Sequence, residues 1–175
     1  MTRETGASLA GRISTSLFAR TPLILQSEAA ECGLAAMAMV AGHHGHRMDM
    51  AAIRRRFSAS IKGTTLRDLV SVGSGLGLAT RALRLEPGDL GKLRLPCILH
   101  WGHNHFVVLT KVRNGSIVIH DPAKGRRTVP MAEVSRQMTG VALEAWPAEG
   151  FTRRDETARL RVTTMLARTT GLWRT

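Results

Sequence analysis

The pattern of apolar and polar positions divides the chain into a helical first half and a strand-rich second half. Residues 29–41 are apolar on most faces and rich in helix-forming alanine and methionine, which predicts a buried central helix. Two shorter helices are expected after it, one capped by Asp49 and one over residues 65–76 capped by Thr64. The first half is therefore expected to be helical.

The second half has a period close to two, which is typical of strands. Strands are expected over residues 78–85, 97–101, 106–112, 116–120 and 141–146, with a short helix over residues 131–138. Asn114-Gly115 favours a tight turn that joins the third and fourth of these strands into a hairpin. Helices followed by an antiparallel sheet predict an α+β fold.

Length and composition fit one compact domain. The chain has 175 residues, of which 43% are hydrophobic, enough to bury an adequate core. Residues 1–20 mix serine, threonine, glycine and arginine without periodicity, so we expect a flexible arm. Two cysteines make no disulfide framework, and the start lacks the pattern of a secretory signal, which indicates a reducing, cytoplasmic setting. No apolar run reaches about 18 residues, the length at which a membrane span is considered.

The net charge of +12 first suggests a nucleic-acid-binding protein. Aromatic residues make up only 4% and tyrosine is absent, so platforms for stacking bases are scarce and we expect no nucleic-acid partner. A basic surface near a membrane, or one that attracts an acidic peptide, fits better. Residues 152–175 combine six arginines with apolar residues, which favours either a basic amphipathic segment on a membrane surface or a flexible basic linker.

Four residues form a candidate catalytic set. Cys32 lies at the start of the predicted central helix, where unpaired amides and the helix dipole favour a thiolate. Gln26 is six residues upstream, His105 begins a predicted strand, and Asp121 ends the next one, close enough to accept the proton on Nδ1 of the imidazole. Gly33 leaves room for a substrate backbone beside Cys32. Taken singly, Cys32 also fits an ordinary buried helix cysteine, Asp121 a turn former and Gln26 a surface residue.

Other polar motifs favour no second chemistry. His43, His44 and His46 lack further ligands at metal spacing and are expected in a hydrated loop after the helix, so no metal site is predicted. Cys97 is expected to be buried and inert, and His100 and Trp101 to shape a pocket. The glycines of residues 73–77 lack the lysine of a phosphate-binding loop, so no ATP site is expected here.

Four motifs, in order, carry a family resemblance. They are Gln26-Ser-Glu-Ala-Ala-Glu-Cys32-Gly-Leu-Ala, Pro96-Cys-Ile-Leu-His-Trp101, His105-Phe-Val-Val-Leu and His120-Asp-Pro-Ala-Lys-Gly125. Together they resemble the bacteriocin-processing peptidase domain at the N-terminus of peptidase-containing ABC transporters, and most closely the colicin V exporter type. The resemblance covers roughly residues 21–151. It implies a papain-like cysteine peptidase domain, with a helical N-terminal lobe and an antiparallel β-sheet C-terminal lobe.

The resemblance also implies a substrate and a setting. Its members cut leader peptides after a double glycine, with Cys32 as nucleophile, Gln26 and the Cys32 amide as oxyanion donors, His105 as base and Asp121 as its orienting residue. The expected partners are a precursor peptide with a Gly-Gly leader and the transmembrane and ATPase domains of the transporter, at the cytoplasmic face of the bacterial inner membrane. No cofactor is expected in this domain, since ATP belongs to the downstream part. The alternatives are a non-catalytic substrate-docking module and a papain-like acyltransferase.

Overall fold

The central helix is the most buried element of the fold. The structure, a computed structural model, describes residues 20–57 and 63–157. A 3-10 turn over Ala29–Glu31 leads directly into helix α1, Cys32–His43. Every residue from Cys32 to Gly42 is buried, because the run is apolar on all faces and the fold surrounds it. The predicted buried helix is confirmed, and its α-helical part starts at Cys32.

The fold has three shorter helices, two in the helical first half and one between strands of the second half. Helix α2 spans Met50–Arg56, and Asp49 caps it as predicted, with Oδ1 accepting the Ala52 amide at 2.7 Å. Helix α3 spans Leu66–Gly75 and α4 spans Met131–Gln137. The cap of α3 is Thr65, which forms a capping box with Asp68, so the prediction of Thr64 is wrong by one residue.

A six-stranded antiparallel sheet forms the second half. Its strands are β2 Leu78–Arg84, β3 Cys97–Trp101, β4 His105–Arg113, β5 Ser116–Asp121, β6 Gly125–Pro130 and β7 Met138–Pro147. They lie in the order β2-β7-β3-β4-β5-β6. The predicted hairpin is confirmed, with Gly115 at φ +74° in its turn. Strand β6 was not predicted, because it is an edge strand on which only Val129 is buried.

Both faces of the sheet are covered. On one face α1 packs against apolar side chains of β3, β4 and β7, among them Ile98, Val108 and Leu143. On the other face Leu90, from a 3-10 helix over Pro87–Lys92, and Val134 of α4 pack in a second core. The start of α1 therefore lies beside the sheet, where residues at the ends of strands can contact it.

A short parallel strand pair extends the fold beyond the predicted domain end at residue 151. Strand β1, His46–Arg47, pairs with β8, Arg154–Asp155, and the Glu156 amide donates to the Arg47 carbonyl at 2.8 Å. The predicted linker of residues 152–175 thus begins with residues that lie against the domain. Its remainder and nearly all of the predicted N-terminal arm, residues 1–20, lie outside the described residues. In the described part of the chain, no helix has the length and apolar character needed to cross a membrane.

Candidate active site

Cys32 is the first residue of α1 and is only 3% exposed. At this position the amides of the first helical turn have no partner within the helix, and the positive end of the helix dipole faces the thiol. Gly33 has a packing role: a Cβ there would lie 2.8 Å from Cβ of Thr64 and 3.1 Å from Cδ2 of Leu69. The prediction that Gly33 leaves room for substrate is therefore wrong, because its Cα faces the interior of the helical part.

Partly exposed His105 and buried Asp121 form an acid–base pair at adjacent strand ends. His105 is the first residue of β4 and Asp121 the last of β5, and Nε2 of His105 lies 2.8 Å from Oδ1 of Asp121. The Cys32 side chain also interacts with the imidazole and is a second cause of its raised pKa. Since Nε2 is occupied by Asp121, Nδ1 is the nitrogen available to the thiol. The prediction that Asp121 binds Nδ1 is wrong, because the imidazole turns Nε2, not Nδ1, toward β5.

The contacts of His105 favour its charged form. The hydrogen bond to Asp121, followed by that to Cys32, raises the pKa of His105 to about 9 against the opposing effect of burial. Burial alone would raise the pKa of Asp121, but hydrogen bonds from His105 and the Ala123 amide leave it below its usual value. At neutral pH the site therefore holds an imidazolium between the Asp121 carboxylate and the Cys32 side chain.

Arg127 is a further contact of the carboxylate that the sequence did not single out. Its Nη1 lies 3.8 Å from Oδ2 of Asp121, and its Nη2 donates to Oε1 of Glu133 at 3.0 Å. Arg127 lies on β6, the strand that was not predicted, so no sequence pattern placed it near Asp121. It supplies positive charge on the side of the carboxylate away from His105.

Gln26 is tied to the same end of the sheet. Its backbone amide donates to the Pro122 carbonyl at 2.9 Å, directly after Asp121 in the chain. Its side-chain oxygen is buried and has no hydrogen-bond partner among the described residues. The fold thus brings the loop before Cys32 to the turn that follows Asp121. The oxyanion role of Gln26 stays a prediction.

Two cavities open on either side of Thr64. One has a volume of about 380 Å³ and is lined by Arg56 and Phe57, among others. The other has a volume of about 340 Å³ and is lined by His100 and Phe106, among others. The prediction that His100 shapes a pocket is thus confirmed, whereas the Trp101 prediction is wrong, because the Trp101 side chain packs in the core on the opposite sheet face.

The histidines after α1 are structural. His46 is only 3% exposed and its Nε2 lies 2.9 Å from Oε1 of Glu156. Nε2 of His44 contacts the Ala145 carbonyl at 3.2 Å, and Nδ1 of His43 contacts the Thr21 hydroxyl at 3.0 Å. The predicted hydrated loop is wrong, because this end of the helix packs against the sheet and β8. No cluster of three or more metal-ligating side chains occurs within residues 20–57 and 63–157.

The second cysteine has the opposite environment to the first. Cys97 is fully buried in β3, and burial, with a contribution from the Glu144 carboxylate, raises the pKa of its thiol to about 12. It therefore remains a thiol at neutral pH, where a thiolate is needed for attack. The predicted burial of Cys97 is confirmed, which leaves Cys32 as the nucleophile candidate.

The site combines a thiol at a helix start with an imidazole at a strand start and a carboxylate at the next strand end. This arrangement, across a helical and a sheet layer, is that of a papain-like cysteine peptidase. Residues 20–150 match the Peptidase C39 family, and the chain belongs to that family. The recognised resemblance and the α+β, papain-like fold are thereby confirmed.

The chain is similar to a part of longer processing proteins and to a solved protease. It is 44% identical over 156 residues to the probable microcin-H47 secretion/processing ATP-binding protein MchF, and 45% identical over 156 residues to the colicin V secretion/processing ATP-binding protein CvaB, both of Escherichia coli. Each match covers 89% of this chain and 22% of the relative, so the chain spans about a fifth of their length. The crystal structure of a double glycine motif protease from an AMS/PCAT transporter, in complex with the leader peptide, shares 37% identity at a TM-score of 0.69, covering 74% of this chain and 94% of that one.

Proposed function

We propose that this chain is the cysteine endopeptidase domain of a peptide exporter and removes the leader of a bacteriocin-like precursor after a Gly-Gly site. The observation that carries the proposal is the hydrogen bond between Asp121 and His105, whose imidazole also interacts with Cys32 at the start of a buried helix. Similarity to secretion/processing proteins and to a double glycine motif protease supports the substrate. The intact contact favours a peptidase over a docking module.

Hydrolysis proceeds in two steps from these groups. The Cys32 thiolate attacks the carbonyl carbon of the second glycine, and Gln26 and the Cys32 amide donate to the oxyanion. The C–N bond breaks as His105 gives its proton to the departing amine, which leaves a thioester on Cys32. Water then attacks the thioester, His105 takes a proton from it, and the thiolate leaves. Asp121 holds the imidazole throughout.

This chemistry is complete with protein groups alone. The thiolate supplies the nucleophile and the imidazole the acid and base, so we propose that the domain needs no metal or organic cofactor. ATP would be used by the ATPase domain of a full-length exporter. A metal chelator should therefore leave cleavage unchanged, whereas alkylation of Cys32 should stop it.

The cavities beside Thr64 are proposed to hold the precursor. Thr64 packs against Gly33, next to the nucleophile, and lines both cavities. Leu66 and Phe106 give one of them an apolar lining that suits apolar leader side chains. Arg56 borders the other cavity, so binding should weaken as salt increases without vanishing.

The three arginines at the end of α2, Arg54 to Arg56, have unequal roles in docking. Arg54 contacts Glu31, while Nη1 of Arg56 lies 3.2 Å from Oε1 of Glu156. Arg55 is exposed between them. Glu156 is more exposed than Glu31, so its ion pair with Arg56 is more easily replaced by a pair with the precursor. The electrostatic share of docking is therefore proposed to fall on Arg55 and Arg56.

We propose that the domain lies at the cytoplasmic face of the bacterial inner membrane, joined to transmembrane and ATPase domains. The secretion/processing relatives, about five times as long as their matched part, support this setting. Residues 158–175, with four arginines, are proposed to contact the membrane surface. Anionic vesicles should sediment the full chain, and a chain ending at Thr157 should lose that binding. Equal sedimentation of both would rule out the tail as the membrane contact.

The activity is tested by incubating the 175-residue chain with a precursor peptide that has one Gly-Gly site and identifying the products by mass spectrometry. In ¹⁸O-labelled water a hydrolase adds one heavy oxygen to the new glycine carboxylate, whereas an acyltransferase attaches the leader to an amine. We expect cleavage after the second glycine with one heavy oxygen. Binding of the precursor without any cleavage would instead support a docking module.

A further inference from the structure

One buried carboxylate closes the loop between Gln26 and Cys32. Glu31 directly precedes the nucleophile and is only 4% exposed. Its Oε2 accepts the backbone amides of Ser27 at 3.1 Å and Glu28 at 3.0 Å. Because Ser27 follows Gln26 in the chain, this carboxylate joins the two ends of the connection between the oxyanion donor and the nucleophile.

A guanidinium from another helix holds the same carboxylate. Arg54 of α2 donates from Nη2 to Oε2 of Glu31 at 2.7 Å and from Nε to Oε1, a two-pronged contact with planar geometry. Helix α2 is itself fixed by its Asp49 cap and by Ile53, which is fully buried. The loop that precedes Cys32 is therefore fastened to a rigid element outside it.

An ordinary helix cap does not require this arrangement. A capping carboxylate satisfies amides while its remaining oxygen faces water, whereas both oxygens of Glu31 are engaged and the residue is buried. Burying a carboxylate is costly unless it is paired, and an unpaired negative charge beside Cys32 would oppose thiolate formation. Arg54 neutralises that charge and holds the carboxylate in place.

We propose that Glu31, held by Arg54, is a positioning residue that sets the separation between the Cys32 nucleophile and the Gln26 oxyanion donor. This inference rests on the proposed peptidase function. It predicts that turnover depends on the Glu31–Arg54 pair although neither side chain contacts the reacting atoms. A misplacement of about 1 Å in a catalytic group costs up to roughly 10²-fold in rate.

The test compares Glu31→Gln, Arg54→Gln, Arg54→Lys and the double variant Glu31→Gln/Arg54→Gln in the full chain. Glu31→Gln should lower kcat by about 10- to 10²-fold with KM changed less than about twofold. Arg54→Lys, which keeps the charge but loses the two-pronged contact, should fall between the unmodified chain and Arg54→Gln. Asp89→Asn is the matched control, because Asp89 is half-exposed and forms a surface ion pair with Lys92.

A second readout is independent of cleavage. Alkylation of Cys32, followed by mass spectrometry across pH, reports thiolate formation. Arg54→Gln leaves an unpaired charge on Glu31, the residue that precedes Cys32 in the chain, and should shift the alkylation profile to higher pH, and the double variant should reverse this shift. If the unmodified chain fails to cleave precursor, the proposed function fails while the alkylation test still decides the role of the pair.

Two results would overturn the inference. One is a kcat within about twofold of the unmodified chain for both Glu31→Gln and Arg54→Gln. The other is an alkylation profile that does not move in Arg54→Gln. Should Glu31→Gln fail to fold, as judged by circular dichroism, the Arg54 variants decide the question, because the Arg54 side chain is 40% exposed and its replacement leaves no buried cavity.

Discussion

Replacing Asp121 with asparagine tests how the active site holds its proton. The carboxylate is 1% exposed and its hydrogen bond is the largest cause of the rise in the His105 pKa from an ordinary 6.5 to about 9. Since a tenfold change in proton affinity is worth about 1.4 kcal/mol, this rise corresponds to about 3 kcal/mol in favour of the imidazolium. Most of that free energy should be lost in Asp121→Asn, and the remainder, from the contact with Cys32, should stay.

The substitution should also change the alkaline limit of activity, which is the pH above which kcat/KM falls. The reactive state is the thiolate–imidazolium pair, so kcat/KM should fall as His105 loses its proton. In the unmodified chain that fall should be centred near pH 9. In Asp121→Asn it should move down by about one to two pH units, which lowers the rate at pH 8 by about two- to tenfold, and the wrong imidazole tautomer should lower it further.

Stability should change with pH in the same variant. Because the folded-state pKa of His105 is raised, its contribution is complete below pH 6.5 and is lost as pH rises through about 9. The pKa of Asp121 is lowered, so its contribution is present above its ordinary value of 3.8 and is lost as pH falls. Asp121→Asn should therefore flatten the decline in the free energy of unfolding between pH 6.5 and 9.

The assay is the initial rate of precursor cleavage from pH 5 to 10, combined with urea unfolding over the same range. Asp89→Asn serves as control, since it removes a surface carboxylate paired with Lys92. An alkaline limit that stays near pH 9 in Asp121→Asn would refute the assignment of the raised pKa to this hydrogen bond.

Further predictions concern the oxyanion donor and the end of the domain. Gln26→Ala should lose roughly 10²- to 10³-fold in kcat with little change in KM, and weakened binding with normal turnover would make Gln26 a recognition residue instead. A chain ending at Phe151 removes the contact of Glu156 with buried His46 and should unfold at a lower temperature. A chain ending at Thr157 should keep the full melting temperature, and equal melting of both would show that β8 adds no stability.

Much of the fold follows from local patterns in the sequence. The uninterrupted apolar run of α1 and the Asp49 cap fix two helices without tertiary information. The hairpin around Asn114-Gly115 places His105 and Asp121 at neighbouring strand ends, so their proximity was predictable from strand order. These features lie within a few residues of the side chains they position.

The features that were missed depend on contacts between distant segments. Strand β6 has a polar, arginine-rich sequence, and only its pairing with β5 reveals it as a strand. His46 is separated from Glu156 by 110 residues, so nothing near it indicated burial. Glu31 and Arg54 are separated by 23 residues in the chain. Which imidazole nitrogen of His105 contacts Asp121 depends on side-chain packing. Such contacts are set by the tertiary fold and leave no local pattern.

The central claim is that Cys32 is the nucleophile, and trapping the acyl-enzyme tests it most directly. Precursor is mixed with the full chain, quenched in acid within the first turnover, and the intact mass of the protein is measured. We predict an added mass equal to the leader fragment through the second glycine, located on Cys32, present in Cys97→Ala and absent in Cys32→Ala, which should not cleave. Cleavage by Cys32→Ala at the rate of the unmodified chain, or an adduct on another residue, would contradict the account.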